Sequence, residues 1–288
     1  MKYLVIDSLS RSGTTLFSSL IRSQEKCMTF NGNFVEPLSM VGRSGWPHRH
    51  VTMDIVKEKS RYLDKEKYHQ EILRVFKKNE RIRGGRSYED WRDVINKNSS
   101  LSQDDLYSQI AKLYQSELLG FRWNQCLFYA PSWLSRSNSH YWVMVVRSPL
   151  DRSVSAMKTH DWSFNACMEA AKSYADKYKI INEMFPDRFL KIHYEDIIES
   201  PESEMKHFFE KIKMDVSSIE LSDLIGADME RYKNEGWRAK GNTGTHKGGE
   251  EFEKLHSKSI DQYKKLLSKD QINSLRQIMN NDLYGRYL

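Results

Sequence analysis

This chain of 288 residues alternates between short apolar runs and longer segments in which apolar residues recur at helical spacing. Four runs have the length and composition of strands. They lie at Tyr3–Ile6, Leu118–Arg122, Tyr141–Val146 and Phe189–Ile192. Apolar residues recur at spacings of three and four from Phe164 to Phe185, which predicts a helix ended by Pro186. Strands alternating with helices predict an α/β fold of three layers, α/β/α, around a central and mostly parallel sheet.

A turn of small residues follows the first apolar run. It reads Ser10-Arg11-Ser12-Gly13-Thr14-Thr15 and precedes apolar residues at helical spacing. Strand, small-residue turn and helix are the layout of a phosphate-binding loop, in which backbone N–H groups at a helix N-terminus bind an anion. Ser8 and Thr14 replace the first glycine and the lysine of a nucleoside-triphosphatase loop. The sequence therefore predicts an anion other than a magnesium-bound triphosphate, although an ordinary strand–turn–helix is the alternative.

A second candidate anion site follows the third apolar run. Arg147 stands at the carboxyl end of that predicted strand, where ligands bind in open α/β sheets, and its guanidinium suits a phosphate. Pro149 suits the first turn of a following helix, which would contain Ser155. The structural alternative is a local ion pair between Arg147 and Asp151. For Arg152 we favour a structural role, with its side chain facing solvent.

The two segments together resemble the sulfotransferase family, whose members use 3′-phosphoadenosine 5′-phosphosulfate (PAPS). That family has an R-S-G-T-T loop after its first strand for the 5′-phosphosulfate. It also has a strand ending in Arg, with a Ser eight residues later, for the 3′-phosphate; Arg147 and Ser155 have this spacing. The resemblance implies a single sulfotransferase domain over residues 1–288 with a P-loop-like nucleotide-binding core. It assigns PAPS binding to Arg11, Ser12, Gly13, Thr14, Thr15, Arg147 and Ser155.

Two later segments also resemble the family. His193 and Tyr194-Glu195-Asp196, followed by Pro201 at a predicted helix start, resemble its segment after the last core strand. We interpret Tyr194, Glu195 and Asp196 as mainly structural. His193 is interpreted as a structural histidine, with a catalytic base as the alternative. The chain's end resembles the family's last helix, with Gly285 as the helix stop.

A glycine-rich segment at Trp237–Gly249 resembles the late family loop that closes over the nucleotide. Glycines permit a close approach of the backbone to a ligand. The resemblance assigns Arg238, Lys240 and Gly241 to PAPS binding, with the two cations as candidates for the 3′-phosphate. A surface loop is the alternative.

The chemistry of sulfuryl transfer requires a proton acceptor and cations near the transferred group. Some family members place a catalytic His in a Lys-x-His after the second core strand, but this chain has Arg122-Trp123-Asn124 there. Other branches use a Glu after the first helix, and Glu36 precedes Pro37 in that setting. We predict Glu36 as the general base, with Arg11 and Arg122 stabilising the transferred group and the leaving phosphate. A loop carboxylate or helix cap is the alternative for Glu36.

Composition limits the partners and the compartment. The net charge of +6 suits an anionic cofactor, and no basic tail or recognition helix indicates nucleic acid. The three cysteines have no zinc-site spacing and favour a reducing compartment, so we expect no metal. The sequence has neither a signal peptide nor an apolar run that could span a bilayer, and we expect a cytoplasmic protein.

The polar segment at about 40–116 is expected to be a helical insertion over the active site, with His48 and His50 in loops. The resulting prediction is a PAPS-dependent sulfotransferase that acts on a hydroxyl or amine of a small molecule or saccharide by in-line transfer. It releases 3′-phosphoadenosine 5′-phosphate (PAP). The alternatives are a nucleotide or metabolite kinase with a degenerate P-loop and a catalytically silent nucleotide-binding protein.

Overall fold

The central element of the fold is a parallel sheet. A computed structural model describes residues 1–9, 11–31, 90, 93, 103–124, 126–216, 218–219 and 260–288. Within these residues, five strands pair in the order β2-β3-β1-β4-β5. Their bounds are Lys2–Asp7 (β1), Cys27–Asn31 (β2), Leu118–Arg122 (β3), His140–Val146 (β4) and Phe189–His193 (β5).

The strand register brings the carboxyl ends of the strands to one edge of the sheet. Arg122 at the end of β3 is level with Ile6 of β1 and with Asn31 of β2, and Asp7 is level with Met144 of β4. The chain reaches β2 and β3 on one side of β1 and β4 on the other. This change of direction beside β1 is the position at which open α/β sheets bind ligands.

Helices cover both faces of the sheet and complete a three-layer α/β/α fold. One face carries α1 (Thr14–Ser23), α6 (Tyr194–Glu199) and α7 (Pro201–Lys211). The other face carries α2 (Gln103–Leu113), α3 (Ala130–Leu134), α4 (Pro149–His160), α5 (Phe164–Met184) and α9 (Lys269–Met279). A short helix, α8 (Tyr263–Leu266), and 3₁₀ turns at Leu127–Tyr129 and Gly285–Tyr287 complete the elements within the described part of the chain.

Strand β4 shows how the two layers of core are built. Its successive side chains point to opposite faces. Val143 and Val145 pack into the core beneath α1, whereas Trp142 and Met144 pack into the core on the opposite face. Because both faces are covered by helices, the strand is a continuous apolar run rather than an alternating one.

The elements predicted from hydrophobic spacing are confirmed in the main. All four predicted strands are present, and the long periodic segment is α5, which ends at Met184 just before Phe185 and Pro186. Pro149 and Pro201 begin α4 and α7 as predicted.

Three details differ from the sequence analysis. Strand β2 was not predicted. Gly285 is not the stop of the last helix, which already ends at Met279, and instead begins a 3₁₀ turn. Arg152 does not face solvent: it is 1% exposed, and its Nη2 donates to the carbonyl of Cys167 at 3.3 Å.

The expected insertion at about 40–116 lies mostly outside the described residues. Its described end contains α2, whose Tyr107 and Ile110 are buried against Phe121. This helix therefore belongs to the core layer on that face. None of the helices formed by the described residues combines the length and the apolar character needed to cross a membrane.

Candidate active site

The loop between β1 and α1 has a shape that only glycine permits at Gly13. This residue has φ 93° and immediately precedes α1, and its carbonyl accepts the N–H of Phe17 at 3.1 Å. A Cβ at this position would lie 2.2 Å from Cδ2 of Tyr194. The N–H groups of the first turn of a helix have no partner within the helix. Those of α1 therefore point to the carboxyl edge of the sheet and can bind an anion there.

Arg11 joins the two segments that the sequence analysis assigned to anion binding. Its Nε donates to Oγ of Ser155 on α4 at 3.1 Å, and its own carbonyl accepts from Nη1 of Arg147 at 3.0 Å. Arg147 directly follows β4 and is 7% exposed, and its guanidinium lies 4.9 Å from the ring centre of Tyr194. Three predicted site residues, which are 136 and 144 positions apart in sequence, therefore meet beside the loop.

The electrostatics of this group favour a bound anion. Burial lowers the pKa of Arg11, and the positive charge of Arg147 lowers it further. Burial and the charge of Arg11 also lower the pKa of the nearby His160. An anion between the two guanidinium groups would reduce their mutual repulsion and make a charge-assisted hydrogen bond with each of them.

The opposite flank of the loop is formed by the end of β3. Nη1 of Arg122 donates to Oγ1 of Thr15, and Oγ1 of Thr14 donates to Oδ1 of Asn124 at 3.0 Å. Arg122 is thus beside the first turn of α1. Asn124 stands where some family members have a catalytic His, and here it binds the loop through its amide oxygen.

Asp151, the suggested ion-pair partner of Arg147, also has two backbone partners. Its oxygens accept the backbone N–H groups of Asp261 and Tyr263 at 2.8 and 3.2 Å. Burial raises the pKa of Asp151, an effect that these hydrogen bonds and the charge of Arg147 partly offset.

The sequence analysis missed Asp7, a residue at the end of β1 that accepts hydrogen bonds from the start of the loop and from neighbouring elements. Its side chain is fully buried, and Oδ1 accepts the N–H of Ser8 at 2.7 Å, the N–H of Cys126 at 3.3 Å and the hydroxyl of Tyr174 at 3.3 Å. Burial raises the pKa of Asp7 to about 7, an effect that these hydrogen bonds only partly offset. A carboxyl group at the end of an otherwise apolar strand was the sequence signal for it.

Substituting Asp7 by asparagine is expected to change how stability depends on pH. Between its ordinary pKa of 3.8 and its folded value of about 7, the folded carboxyl holds a proton that the unfolded chain has lost. The wild-type protein therefore loses stability as pH rises through this window, whereas asparagine does not titrate. We expect the free energy of unfolding of Asp7→Asn, relative to wild type, to rise by about 2 kcal/mol from pH 5 to pH 7.

Urea unfolding at several pH values measures the free energy of unfolding of both proteins. Subtracting the wild-type value from that of Asp7→Asn cancels the titration of all groups that the two proteins share. Asp187→Asn provides the matched control, since it makes the same substitution at an exposed position. A profile for Asp7→Asn parallel to that of wild type would show that Asp7 keeps an ordinary pKa in the folded protein.

His193 and Tyr194 have different roles in the structure. Nδ1 of His193 lies 2.9 Å from the hydroxyl oxygen of Tyr287, and burial, together with Arg286 and Lys191, lowers the pKa of His193 to about 4. This agrees with its interpretation as a structural histidine. Tyr194 is more than architectural, because its ring lies against both Gly13 and Arg147 and forms a wall of the candidate site.

Several predicted site residues cannot be placed. Glu36, Arg238, Lys240 and Gly241 lie outside the described residues, as do Ser10, His48 and His50. Ser12 is 3% exposed within the loop. The described part of the site therefore consists of the loop, its two arginine flanks and the Tyr194 wall.

The family comparison agrees with this geometry. A model of the sulfotransferase family matches residues 4–218. Among solved structures, a sulfotransferase domain from the curacin biosynthetic pathway is 15% identical, with a TM-score of 0.52 and coverage of 96% of both chains. This likeness shows the shared fold. No sequence among the curated proteins matches the chain significantly.

Two further structures are similar at lower scores. A sulfotransferase domain from the Synechococcus PCC 7002 olefin synthase is 14% identical, with a TM-score of 0.45 and coverage of 96% of this chain and 93% of that one. A retinol dehydratase in complex with androsterone and inactive cofactor PAP is 12% identical, with a TM-score of 0.49 and coverage of 98% and 82%.

Proposed function

The chain belongs to the sulfotransferase family, and we propose that it transfers the sulfuryl group of PAPS to a hydroxyl or amine of a small molecule or saccharide. The observation that carries the proposal is the contact of Arg11 with both Ser155 and Arg147. It unites a loop suited to a 5′-phosphosulfate with a pair of side chains suited to a second phosphate.

Each part of the site has a role in this proposal. The first-turn N–H groups of α1, from Thr14 onward, would bind the 5′-phosphate, because a helix N-terminus favours negative charge. Arg147 and Ser155 would bind the 3′-phosphate. Gly13 leaves room for the Tyr194 ring and for a close approach of the nucleotide to the backbone.

PAPS would supply an activated sulfuryl group, whose bond to the 5′-phosphate oxygen breaks as a bond to the acceptor forms. Arg11 and Arg122 would stabilise the negative charge that develops on the leaving phosphate, which keeps the bonding electron pair and departs as PAP. Neither arginine can take up the acceptor's proton, because guanidinium stays charged. We assign that proton to the carboxylate of Glu36, which would accept it as the acceptor oxygen or nitrogen attacks sulfur in line.

The proposal needs no metal ion for charge neutralisation, because two guanidinium groups lie within the site. Thr14 stands where a P-loop lysine would be, and its hydroxyl is bound to Asn124. We further propose a cytoplasmic location, since all three cysteines, Cys27, Cys126 and Cys167, are free thiols, which suits a reducing compartment.

Nucleotide binding tests the proposal directly. We expect PAP and PAPS to bind in the presence of a chelator, and ligand at 100 times its dissociation constant to raise the free energy of unfolding by about 2.7 kcal/mol. Titration calorimetry measures the affinities, and ATP with magnesium is the comparison ligand. Tighter binding of ATP with magnesium than of PAP would contradict the proposal and favour a kinase. Binding of PAPS without transfer to any acceptor in a broad screen would favour a silent binding protein.

A further inference from the structure

We infer that Tyr287 is a positioning residue for the anion site, because its hydroxyl holds the carboxylate of Glu195, which in turn holds the backbone N–H of the residue that follows Arg147. The inference rests on the proposed function, in which Arg147 binds the 3′-phosphate of the nucleotide. It goes beyond that function by giving Tyr287 and Glu195 a part in nucleotide selectivity.

Glu195 connects the two ends of this arrangement. It lies in α6 and is 7% exposed. Its Oε1 accepts the N–H of Ser148 at 3.0 Å, and its Oε2 accepts the hydroxyl of Tyr287 at 2.6 Å. The carboxylate thus joins Ser148, the residue after Arg147, to Tyr287. These two residues lie 47 and 92 positions from Glu195 in sequence.

The surroundings of the Tyr287 hydroxyl determine where its proton lies. Burial and the charge of Glu195 raise the pKa of Tyr287, so the hydroxyl keeps its proton and donates it to the carboxylate. His193 is neutral at pH 7, because its pKa is lowered to about 4. Since the single hydroxyl proton goes to Glu195, Nδ1–H of His193 donates to the Tyr287 oxygen at 2.9 Å. One continuous set of hydrogen bonds therefore runs from His193 through Tyr287 to Glu195.

The same groups contact the backbone on either side of Arg147. The hydroxyl of Tyr287 lies 3.4 Å from the carbonyl oxygen of Val146, and Glu195 accepts from Ser148. The peptide unit that follows Arg147 is thereby held by a hydrogen bond, and the Tyr287 hydroxyl that orients Glu195 lies beside the peptide unit that precedes Arg147. Nη1 of Arg147 reaches the Arg11 carbonyl at 3.0 Å, so a rotation of its backbone would displace the guanidinium from the site. Displacements of about 1 Å are enough to weaken a positioned interaction substantially.

The segment Leu283–Tyr287 is also held by contacts that do not involve the Tyr287 hydroxyl. A variant that lacks only this hydroxyl therefore tests its hydrogen bonds specifically. Leu283 and Tyr284 are buried, and their N–H groups donate to Oδ1 of Asn281 at 2.9 and 3.1 Å. Arg286 forms a two-point ion pair with Asp196, and both of these side chains are partly exposed. Exposed ion pairs contribute little to stability. Removing the Tyr287 hydroxyl should therefore change the hydrogen bonds near Arg147 without releasing the segment.

The test compares PAP with adenosine 5′-phosphate, which lacks the 3′-phosphate, by titration calorimetry on the full chain. Tyr287→Phe is expected to weaken PAP by about 3- to 10-fold, the loss of one hydrogen bond, and adenosine 5′-phosphate by less than about twofold. Glu195→Gln should reduce the same selectivity, because a neutral amide replaces the charged carboxylate and makes weaker hydrogen bonds to Ser148 and Tyr287. Arg276→Gln, at an exposed position on α9, is the control and should leave both affinities at the wild-type value.

The outcomes separate this inference from the function on which it rests. Equal affinity of the wild-type protein for PAP and adenosine 5′-phosphate would contradict the assignment of a 3′-phosphate site, and the inference with it. Selectivity in the wild type that persists in both Tyr287→Phe and Glu195→Gln would overturn the inference alone. A loss of stability with unchanged selectivity would show that Tyr287 holds the fold but does not position Arg147.

Discussion

Replacing Glu36 by glutamine is expected to lower the turnover of sulfuryl transfer by about 10²–10⁴-fold, the usual contribution of a positioned general base. Glutamine keeps the size of the side chain but cannot accept the proton of the acceptor group. The affinity for PAP should stay within about twofold of wild type, because the carboxylate is assigned to the acceptor side. Single-turnover kinetics and PAP binding measure the two quantities separately.

The described residues constrain where the chain enters this part of the site. Asn31 ends β2 level with Arg122, whose side chain contacts Thr15 in the loop. Glu36 lies five residues after Asn31, and five residues of fully extended chain span about 18 Å at most. A carboxylate so close in sequence to the ligand-binding edge of the sheet is a reasonable base. The assignment itself is a prediction from sequence, since Glu36 is outside the described residues.

Glu36→Asp is the matched variant, and it should keep part of the activity, because it retains a carboxylate on a shorter side chain. Near-normal turnover in Glu36→Gln would remove this residue from the mechanism and direct attention to His48 and His50. His193 would be a poor replacement, since its Nδ1 is bound to Tyr287 and its pKa is lowered to about 4.

The fold was largely predictable from the sequence because most of its elements follow hydrophobic spacing. Strand β2 is the exception. Its buried Thr29 breaks the apolar run, and Oγ1 of Thr29 donates to the carbonyl of Ser18 at 2.9 Å. A polar side chain satisfied by a partner on another element gives no signal in the local pattern. The end of the last helix was mispredicted at Gly285, since the segment beyond Met279 is organised by the side chain of Asn281.

The site was predictable where it depends on local motifs and not where it depends on contacts across the chain. The loop and the spacing of Arg147 and Ser155 are visible in sequence. The burial of Asp7 against Tyr174 joins residues 167 positions apart, and the contact of Tyr287 with Glu195 joins residues 92 apart. Such contacts form only when elements that are distant in sequence pack together at the same edge of the sheet. They explain why the local sequence pattern does not reveal the partners of Asp7 and Tyr287.

Substituting Arg147 by alanine is expected to weaken PAPS by roughly 10- to 150-fold, since a hydrogen bond to a charged group contributes about 1.5–3 kcal/mol. Adenosine 5′-phosphosulfate lacks the 3′-phosphate and should lose far less affinity. It should still lose a little, because Nη1 of Arg147 also donates to the carbonyl of Arg11 and so helps to hold the loop. The ratio of the two affinities isolates the contact with the 3′-phosphate from this loop effect.

Arg147→Lys provides the matched variant for the geometry of the contact. Lysine keeps the positive charge but cannot donate two parallel hydrogen bonds to one phosphate or stack as a plane on the ring of Tyr194, which lies 4.9 Å away. We expect its selectivity for PAPS to fall between those of wild type and Arg147→Ala. Competition binding with both nucleotides gives all the ratios in one assay. If Arg147→Ala weakened the two nucleotides equally, Arg147 would serve only to support the loop through Arg11, and the 3′-phosphate would have to bind elsewhere.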